Sequence, residues 1–245
     1  MEVMILGSGS GLPSLSKHLS SILVRSDNGL FLLDCGDGCS HLLLEQDVKA
    51  DDLDAVLISH YHPDHVSGIF MLIQMLYLSG RTKPLDVFLP ERVEDFLGIL
   101  RMFYTFPQKF AFPLTLHEIT DVPKHYPHIS CMVNDHLHGY EPIIKSLALS
   151  NGMMAYSIRI SGASGDFVYS SDIGTTDSIK DLILGANTLI VDSGHPDPEQ
   201  ILRLKDYILK RVILTHDAKP ETLIEITALN NSIFEEAVES MWYQV

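Results

Sequence analysis

Ser59-His60-Tyr61-His62-Pro63-Asp64-His65 packs three histidines and one carboxylate into a single short stretch. Imidazole and carboxylate are the donors of a catalytic zinc site, which keeps one coordination position open for water. His60 and His62 are two apart, so in an extended segment they face one way and can share one ion. Asp64 and His65 then turn toward a second position beside it. Two ions about 3.5–4 Å apart clamp an attacking hydroxide and a leaving oxygen together. Scattered histidines on a surface turn would not have this spacing, so the chain reads as a metal-dependent hydrolase. Further ligands are expected where later apolar runs end: Asn134-Asp135-His136-Leu137-His138, Ser171-Asp172, Ser193-Gly194-His195 and Leu214-Thr215-His216. Each is ordinary alone; with the first cluster they complete a two-metal site.

Such ligands need rigid strands behind them. Residues 53–58 are an apolar run, read as the buried strand that feeds His60. Residues 3–6, 20–25 and 30–34 read as strands, with Asp27-Asn28-Gly29 as a hairpin turn between the last two. Gly7, Gly9 and Gly11 form a glycine-rich turn without the dinucleotide-binding spacing, which points to tight packing near the site. Residues 40–46, 66–77 and 91–103 read as helices, the last carrying an apolar stripe at Val93, Phe96, Leu97, Leu100 and Phe103. The aromatic, proline-broken residues 103–113 read as core ahead of a lid. Strands are expected at 114–118, 129–134, 143–149, 154–160, 167–170, 189–192 and 211–214, and helices at 175–184 and 198–209. No repeat, low-complexity linker or domain boundary interrupts the chain, so residues 1–245 are expected to form one layered α/β (α+β) domain. Residues 78–84, 103–113 and 139–150 are the expected pocket walls.

With 245 residues, 46% of them hydrophobic, the chain can bury a large core. A net charge of −15 excludes gripping nucleic acid by bulk attraction, though not chemistry on it at a local metal pair. Cys35, Cys39 and Cys131 are an odd number in a mid-sized chain, which reads as reduced thiols in the cytoplasm. The opening residues carry no basic, apolar leader. The most apolar stretch, 66–78, is shorter than the ~20 residues that a membrane span needs.

The order of these motifs resembles the metallo-β-lactamase superfamily, whose H-x-H-x-D-H signature His60-Tyr61-His62-Pro63-Asp64-His65 matches. Within it, Leu6 to Pro13, Ser20-Ser21, Leu33-Asp34-Cys35-Gly36-Asp37-Gly38, Tyr169 to Gly174 and Leu214-Thr215-His216 are similar to the ribonuclease Z branch, as is a closing strand at 237–241. The resemblance implies a four-layer αβ/βα sandwich with two divalent metal ions at one edge, zinc first and manganese or iron as alternatives. His60 and His62 would hold the first ion, Asp64, His65 and His216 the second, and Asp172 would bridge. The third ligand of the first ion is His136, His138 or Asn151; His136 is preferred, because imidazole binds zinc far better than an amide does. Asp64 and His195 take the catalytic roles, the first orienting hydroxide and the second acting on the leaving group.

The implied activity is phosphodiester hydrolysis, with a small ester, thioester or lactone as the alternative substrate, or a degenerate, non-catalytic member of the fold. Di-iron oxidoreductases of this superfamily place a carboxylate where His62 stands, which argues against that chemistry. The chain lacks the long Gly/Pro/Lys-rich insertion with which ribonuclease Z holds tRNA. A symmetric homodimer, no membrane and a small-molecule or phosphodiester partner complete the expectation.

Overall fold

The structure is a computed structural model that describes residues 1–229 and 233–245. Its strands are β1 (Glu2–Gly7), β2 (Ser21–Ser26), β3 (Gly29–Leu33), β4 (Ala55–Leu57), β5 (Leu85–Leu89), β6 (Leu114–Glu118), β7 (Ile129–Val133), β8 (Tyr156–Gly162), β9 (Gly165–Tyr169), β10 (Thr188–Asp192), β11 (Arg211–Thr215), β12 (Phe234–Glu236) and β13 (Trp242–Gln244). The helices are α1 (Cys39–Glu45), α2 (Pro63–Val66), α3 (Ile69–Leu78), α4 (Val93–Met102), α5 (Val122–His125), α6 (Glu141–Ser146), α7 (Lys180–Ile183), α8 (Pro198–Leu202) and α9 (Pro220–Leu229).

Two sheets form, ordered β13-β1-β2-β3-β4-β5-β6 and β12-β11-β10-β9-β8-β7. The period-two alternation of each strand divides its side chains between two cores. Val3 and Ile5 of β1 face the other sheet, while Met4 and Leu6 face helices. Likewise Ile190 and Ile213 point between the sheets, and Leu189, Val191, Val212 and Leu214 point outward. The outer face of the first sheet is covered by Leu43 of α1, Leu72 and Leu76 of α3 and Phe96 and Leu100 of α4. The second sheet is covered by Leu182 and Ile183 of α7 and Ile201 of α8, with Leu223 and Ile226 of α9 at the margin. The result is helix, sheet, sheet, helix: the expected four-layer sandwich. Each fully buried Leu, Ile or Phe in these layers stabilises by about 1.5–3 kcal/mol, which fixes the strands against one another and so fixes their tips.

Several readings are corrected. Residues 143–149 are not a strand: Pro142 and Glu141 open helix α6 instead, and Ile143 with Leu147 has helical spacing. The expected helix at 66–77 is two, because the chain turns at Gly68, where a Cβ would lie 2.0 Å from the Gly36 carbonyl oxygen. The helices expected at 175–184 and 198–209 each divide into a 3₁₀ turn and a short α-helix. Residues 237–241 are the turn between β12 and β13, with Ser240 left-handed at φ 61°. Residues 78–84 do not wall the histidine site; most of them wrap the buried Arg81 guanidinium, which donates to the carbonyls of Ala50, Leu53, Lys83 and Pro84. The 103–113 segment is divided: Phe112 is buried in the core, whereas Tyr104 is exposed. Helices α5 and α9 had no counterpart in the sequence reading.

Candidate active site

β3, β4, β5 and β6 run parallel, as do β9, β10, β11 and β12. In such sheets ligand sites form beyond the carboxyl ends of the strands. β3 ends into Asp34, β4 into Ser59 and His60, β7 into His136, β9 into Asp172, β10 into His195 and β11 into His216. After β4 the chain stays extended to His62 (φ −66°, ψ 143°), and Pro63 then starts α2, which carries Asp64 and His65 back to the same corner. Several tips are held in the left-handed region: Asp34 at φ 57°, Ser171 at 52° and His216 at 61°. That conformation costs a non-glycine residue about 1–2 kcal/mol, so packing and hydrogen bonds must hold these tips. Gly194 is needed where the loops cross, since a Cβ there would meet the His216 carbonyl oxygen at 2.2 Å.

Two ligand sets result. His60, His62, His136 and Asp172 each bring a donor atom within 4.8 Å of the others, and so do Asp64, His65, Asp172 and His216. Asp172 joins them. Its Oδ2 lies 3.8 Å from His60 Nε2 and 3.6 Å from His136 Nε2, while Oδ1 lies 3.1 Å from His65 Nε2 and 3.3 Å from His216 Nδ1. His136 Nε2 is 3.1 Å from His62 Nδ1. His138 is exposed, and Asn151 instead accepts from Arg92. His60 Nε2, His65 Nε2 and His216 Nδ1 are buried without a hydrogen-bond partner, although His65 Nε2 and His216 Nδ1 lie near Asp172 Oδ1 without hydrogen-bond alignment. Buried polar atoms normally find partners. Orphaned imidazole nitrogens that converge on one carboxylate are what a metal pair would satisfy, so the donor set fits divalent ions.

The far nitrogens are anchored. His65 Nδ1 is 2.7 Å from Asp34 Oδ2, and His60 Nδ1 is 3.0 Å from Ser59 Oγ. His195 Nδ1 is 2.9 Å from Asp192 Oδ2, its ring half-exposed and 4.8 Å from both His136 and His216. Asp135 accepts from the Gly174 and Thr175 amides, tying the His136 loop to the Asp172 loop. Asp34 and Asp192 carry no site role in the sequence reading. The available signal was the position of each at the carboxyl end of a parallel strand, one of them inside a motif already quoted for its resemblance.

Burial dominates the imidazole titrations. It pushes His60 well below its ordinary range, lowers His62, and brings His136 to about 4. Burial also opposes protonation of His65, but Asp172 and Asp34 together outweigh it and hold that imidazole well above its ordinary range. Asp172 is held well below the carboxylate range because His65, His216 and His60 outweigh its burial. Three site imidazoles are therefore neutral near pH 7, the form that binds metal.

A sign for stability follows. Groups lowered in the fold (His60, His62, His136 and the partly buried His128) bind protons more readily unfolded, so their contribution is present above about pH 6.5 and fades as pH falls through their folded values, about 4 for His136. His65 and His195 are raised, so their contribution is complete below about pH 6.5 and fades as pH rises through their folded values. Four against two, the chelator-treated chain is expected to unfold at a lower temperature at pH 5 than at pH 7. Equal midpoints in thermal scans at the two pH values would remove the neutral-imidazole description.

Beside His62 a cavity of about 260 Å³ is lined by Tyr61, Tyr140, Ile143, Leu147 and Met153. It adjoins a groove of about 380 Å³ that shares Tyr61 and Asn151 and adds Phe70, Phe96 and Arg92. A larger cavity, about 490 Å³, lies by α7 and α8 and holds none of the clustered histidines. Of the expected pocket walls, only 139–150 reaches the site.

Comparison with known proteins agrees with this geometry. A family model described as anti-Pycsar protein Apyc1 matches residues 1–222. Ribonuclease Z of Prochlorococcus marinus (strain MIT 9303) is 36% identical over 124 residues, which are 49% of this chain and 38% of that protein, so the match spans well under half of the relative. The fold superposes on the short form of human tRNase Z with a TM-score of 0.75 at 18% identity, covering 100% of this chain and 99% of that one. It superposes equally, at 0.75 and 22% identity, on the metallo-β-lactamase fold protein YhfI of Bacillus subtilis, covering 99% and 98%. Among the described residues, no helix is long and apolar enough to cross a membrane.

Proposed function

The chain belongs to the anti-Pycsar protein Apyc1 family, and from that membership and the paired histidine sets we propose that it is a metal-dependent phosphodiesterase acting on a small phosphodiester. The observation that carries the reading is Asp172, whose two oxygens face two different sets of imidazoles. His60, His62 and His136 would hold one divalent ion and Asp64, His65 and His216 the other, with Asp172 between them. Zinc suits these donors first, and manganese or iron next. Such ions supply water ionised near neutral pH and positive charge for the phosphoryl oxygens.

The chain's own groups do the rest. Burial works against the Asp64 carboxylate, but His65 outweighs it and keeps Asp64 ionised, able to accept a hydrogen bond from the attacking hydroxide and aim it. Asp192 hydrogen-bonds His195 and raises its imidazole above the ordinary range, so His195 carries a proton for the leaving oxygen. The Tyr61–Arg92 groove would seat the part of the substrate that does not react. The charge of −15 favours a small substrate over a folded RNA, whose phosphates would be repelled. The free cysteines support a cytoplasmic location. The exposed Ile143, Leu147 and Leu149 support a symmetric homodimer that would cover them.

The apolar cavity beside His62 also favours a second reading, hydrolysis of a small ester, thioester or lactone. One experiment separates the two. The chain loaded with zinc or manganese is expected to cleave both an aryl and an alkyl phosphodiester, and chelator is expected to abolish both reactions. His195→Gln should lose about 10²–10⁴-fold on the alkyl diester and far less on the aryl one, whose phenolate leaves without a proton. Turnover confined to lactone and thioester would overturn the phosphodiesterase reading.

A further inference from the structure

Away from Asp172, the side chains of Asp86, His117 and His125 each bring one ligand-type atom within 4.8 Å of the others. None of the three belongs to the strand-tip sets. We propose that they form a separate site for a zinc-class divalent ion, which pins the edge of the first sheet to the segment leading into the second.

Register places the first two. β5 and β6 pair in parallel with Phe88 opposite His117, so Asp86 lies on the same face, one diagonal step away. His117 Nε2 is 3.0 Å from Asp86 Oδ1. Helix α5 then returns over this edge and sets the His125 ring 4.3 Å from that of His117, inclined at 51°. Phe88 floors both imidazoles, with ring centroids 4.9 and 5.7 Å away. Tyr126 donates to the other Asp86 oxygen at 3.1 Å, leaving Oδ1 toward the histidines. A ligating carboxylate held by an outer hydrogen bond over an apolar floor is the usual support of a metal site.

An Asp–His pair alone is an ordinary surface contact. A second imidazole turned onto the first has no hydrogen-bonding reason to be there, but a shared ion supplies one. Two imidazoles and one carboxylate, with water completing the shell, suit zinc, cobalt or nickel; magnesium and calcium take oxygen instead. His125 is exposed, which gives an ion a way in. β6 is the outermost strand of the first sheet, and β7, which follows α5, is the outermost strand of the second. An ion here would therefore tie the edge of the first sheet to the segment that leads into the edge of the second.

The test uses the full chain with zinc alone as probe. After equilibration with zinc and removal of the free ion, His125→Ala is expected to hold one ion fewer per chain than the unsubstituted protein. It should also show a smaller zinc-induced rise in unfolding temperature, with phosphodiester turnover unchanged. Because His125 is exposed, its loss does not threaten folding; His117→Gln is the second variant, expected to bind that ion about tenfold or more weakly. Equal zinc content in all three proteins would overturn the site. Metal content is read independently of hydrolysis, so an inactive chain that still lost one ion on His125→Ala would keep this site and count only against the phosphodiesterase reading.

Discussion

Asp172→Ala is expected to lower kcat/KM by about 10³-fold or more and to lower the bound metal at both histidine sets. Removing one preorganised electrostatic group from a dry site costs about 10²–10³-fold. Asp172 exceeds that range because it serves two sets at once: Oδ2 faces His60 and His136, and Oδ1 faces His65 and His216. It is also the negative charge that keeps this crowd of imidazoles together. Only 2% exposed, it has no room for water to replace its oxygens fully. Asp172→Asn separates charge from shape, since the amide keeps one carbonyl oxygen and turns an N–H₂ toward the other set. It should retain more of the metal at one set than the other. Groups that act as a unit are not additive, so adding His62→Ala to Asp172→Ala should lower activity little further. Elemental analysis beside steady-state rates decides the matter; a variant that keeps its full metal content and rate would remove Asp172 from the centre of the site.

What sequence reasoning could see was set by distance along the chain. His60, His62, Asp64 and His65 are legible because their spacing is local: an extended step pairs the first two, and Pro63 turns the last two. A layered α/β domain was legible from the order of apolar runs and helical stripes, whereas the four-layer sandwich came only as what the family resemblance implies; the division of Val3 and Ile5 from Met4 and Leu6 is seen in the structure. His136 could be named but not separated from His138, because the distinction rests on a 3₁₀ turn after β7 that leaves one imidazole inside and the other exposed. Residues 143–149 misled because a short apolar run carries no length signal, and the deciding cue was Pro142 at a helix start. Asp34 and Asp192 escaped for a different reason. Neither lies in the local donor run at 60–65, and their partners meet them only once β3 lies beside β4 and the strands of the second sheet are in place.

The largest effect expected from a residue to which the sequence assigns no role belongs to Asp34. It is fully buried at the tip of β3 and accepts four hydrogen bonds: from the Ser59 amide at 2.7 Å, Ser59 Oγ at 2.8 Å, His65 Nδ1 at 2.7 Å and Tyr169 OH at 2.9 Å. One carboxylate thus joins β4, the second sheet and a proposed metal ligand. Asp34→Ala leaves those donors buried and unpaired, at about 1–3 kcal/mol each before relaxation. It also places Ala at φ 57°. A loss of roughly 3–5 kcal/mol in unfolding free energy is expected, the range for breaking a buried charged pair. The functional loss should be smaller than for Asp172, about 10–100-fold in metal affinity, because His65 keeps its position in α2 and loses only the partner that fixes its ring. Two controls separate fold from site. Asn tolerates the left-handed backbone, so Asp34→Asn should recover much of the stability while the metal still binds weakly, since an amide cannot supply the carboxylate's charge to His65. Tyr169→Phe removes one of the four bonds and should cost about 1 kcal/mol with little change in metal binding. If Asp34→Asn bound metal as tightly as the unsubstituted chain, Asp34 would be a structural anchor alone, and the His65 ring would have to be held by its packing.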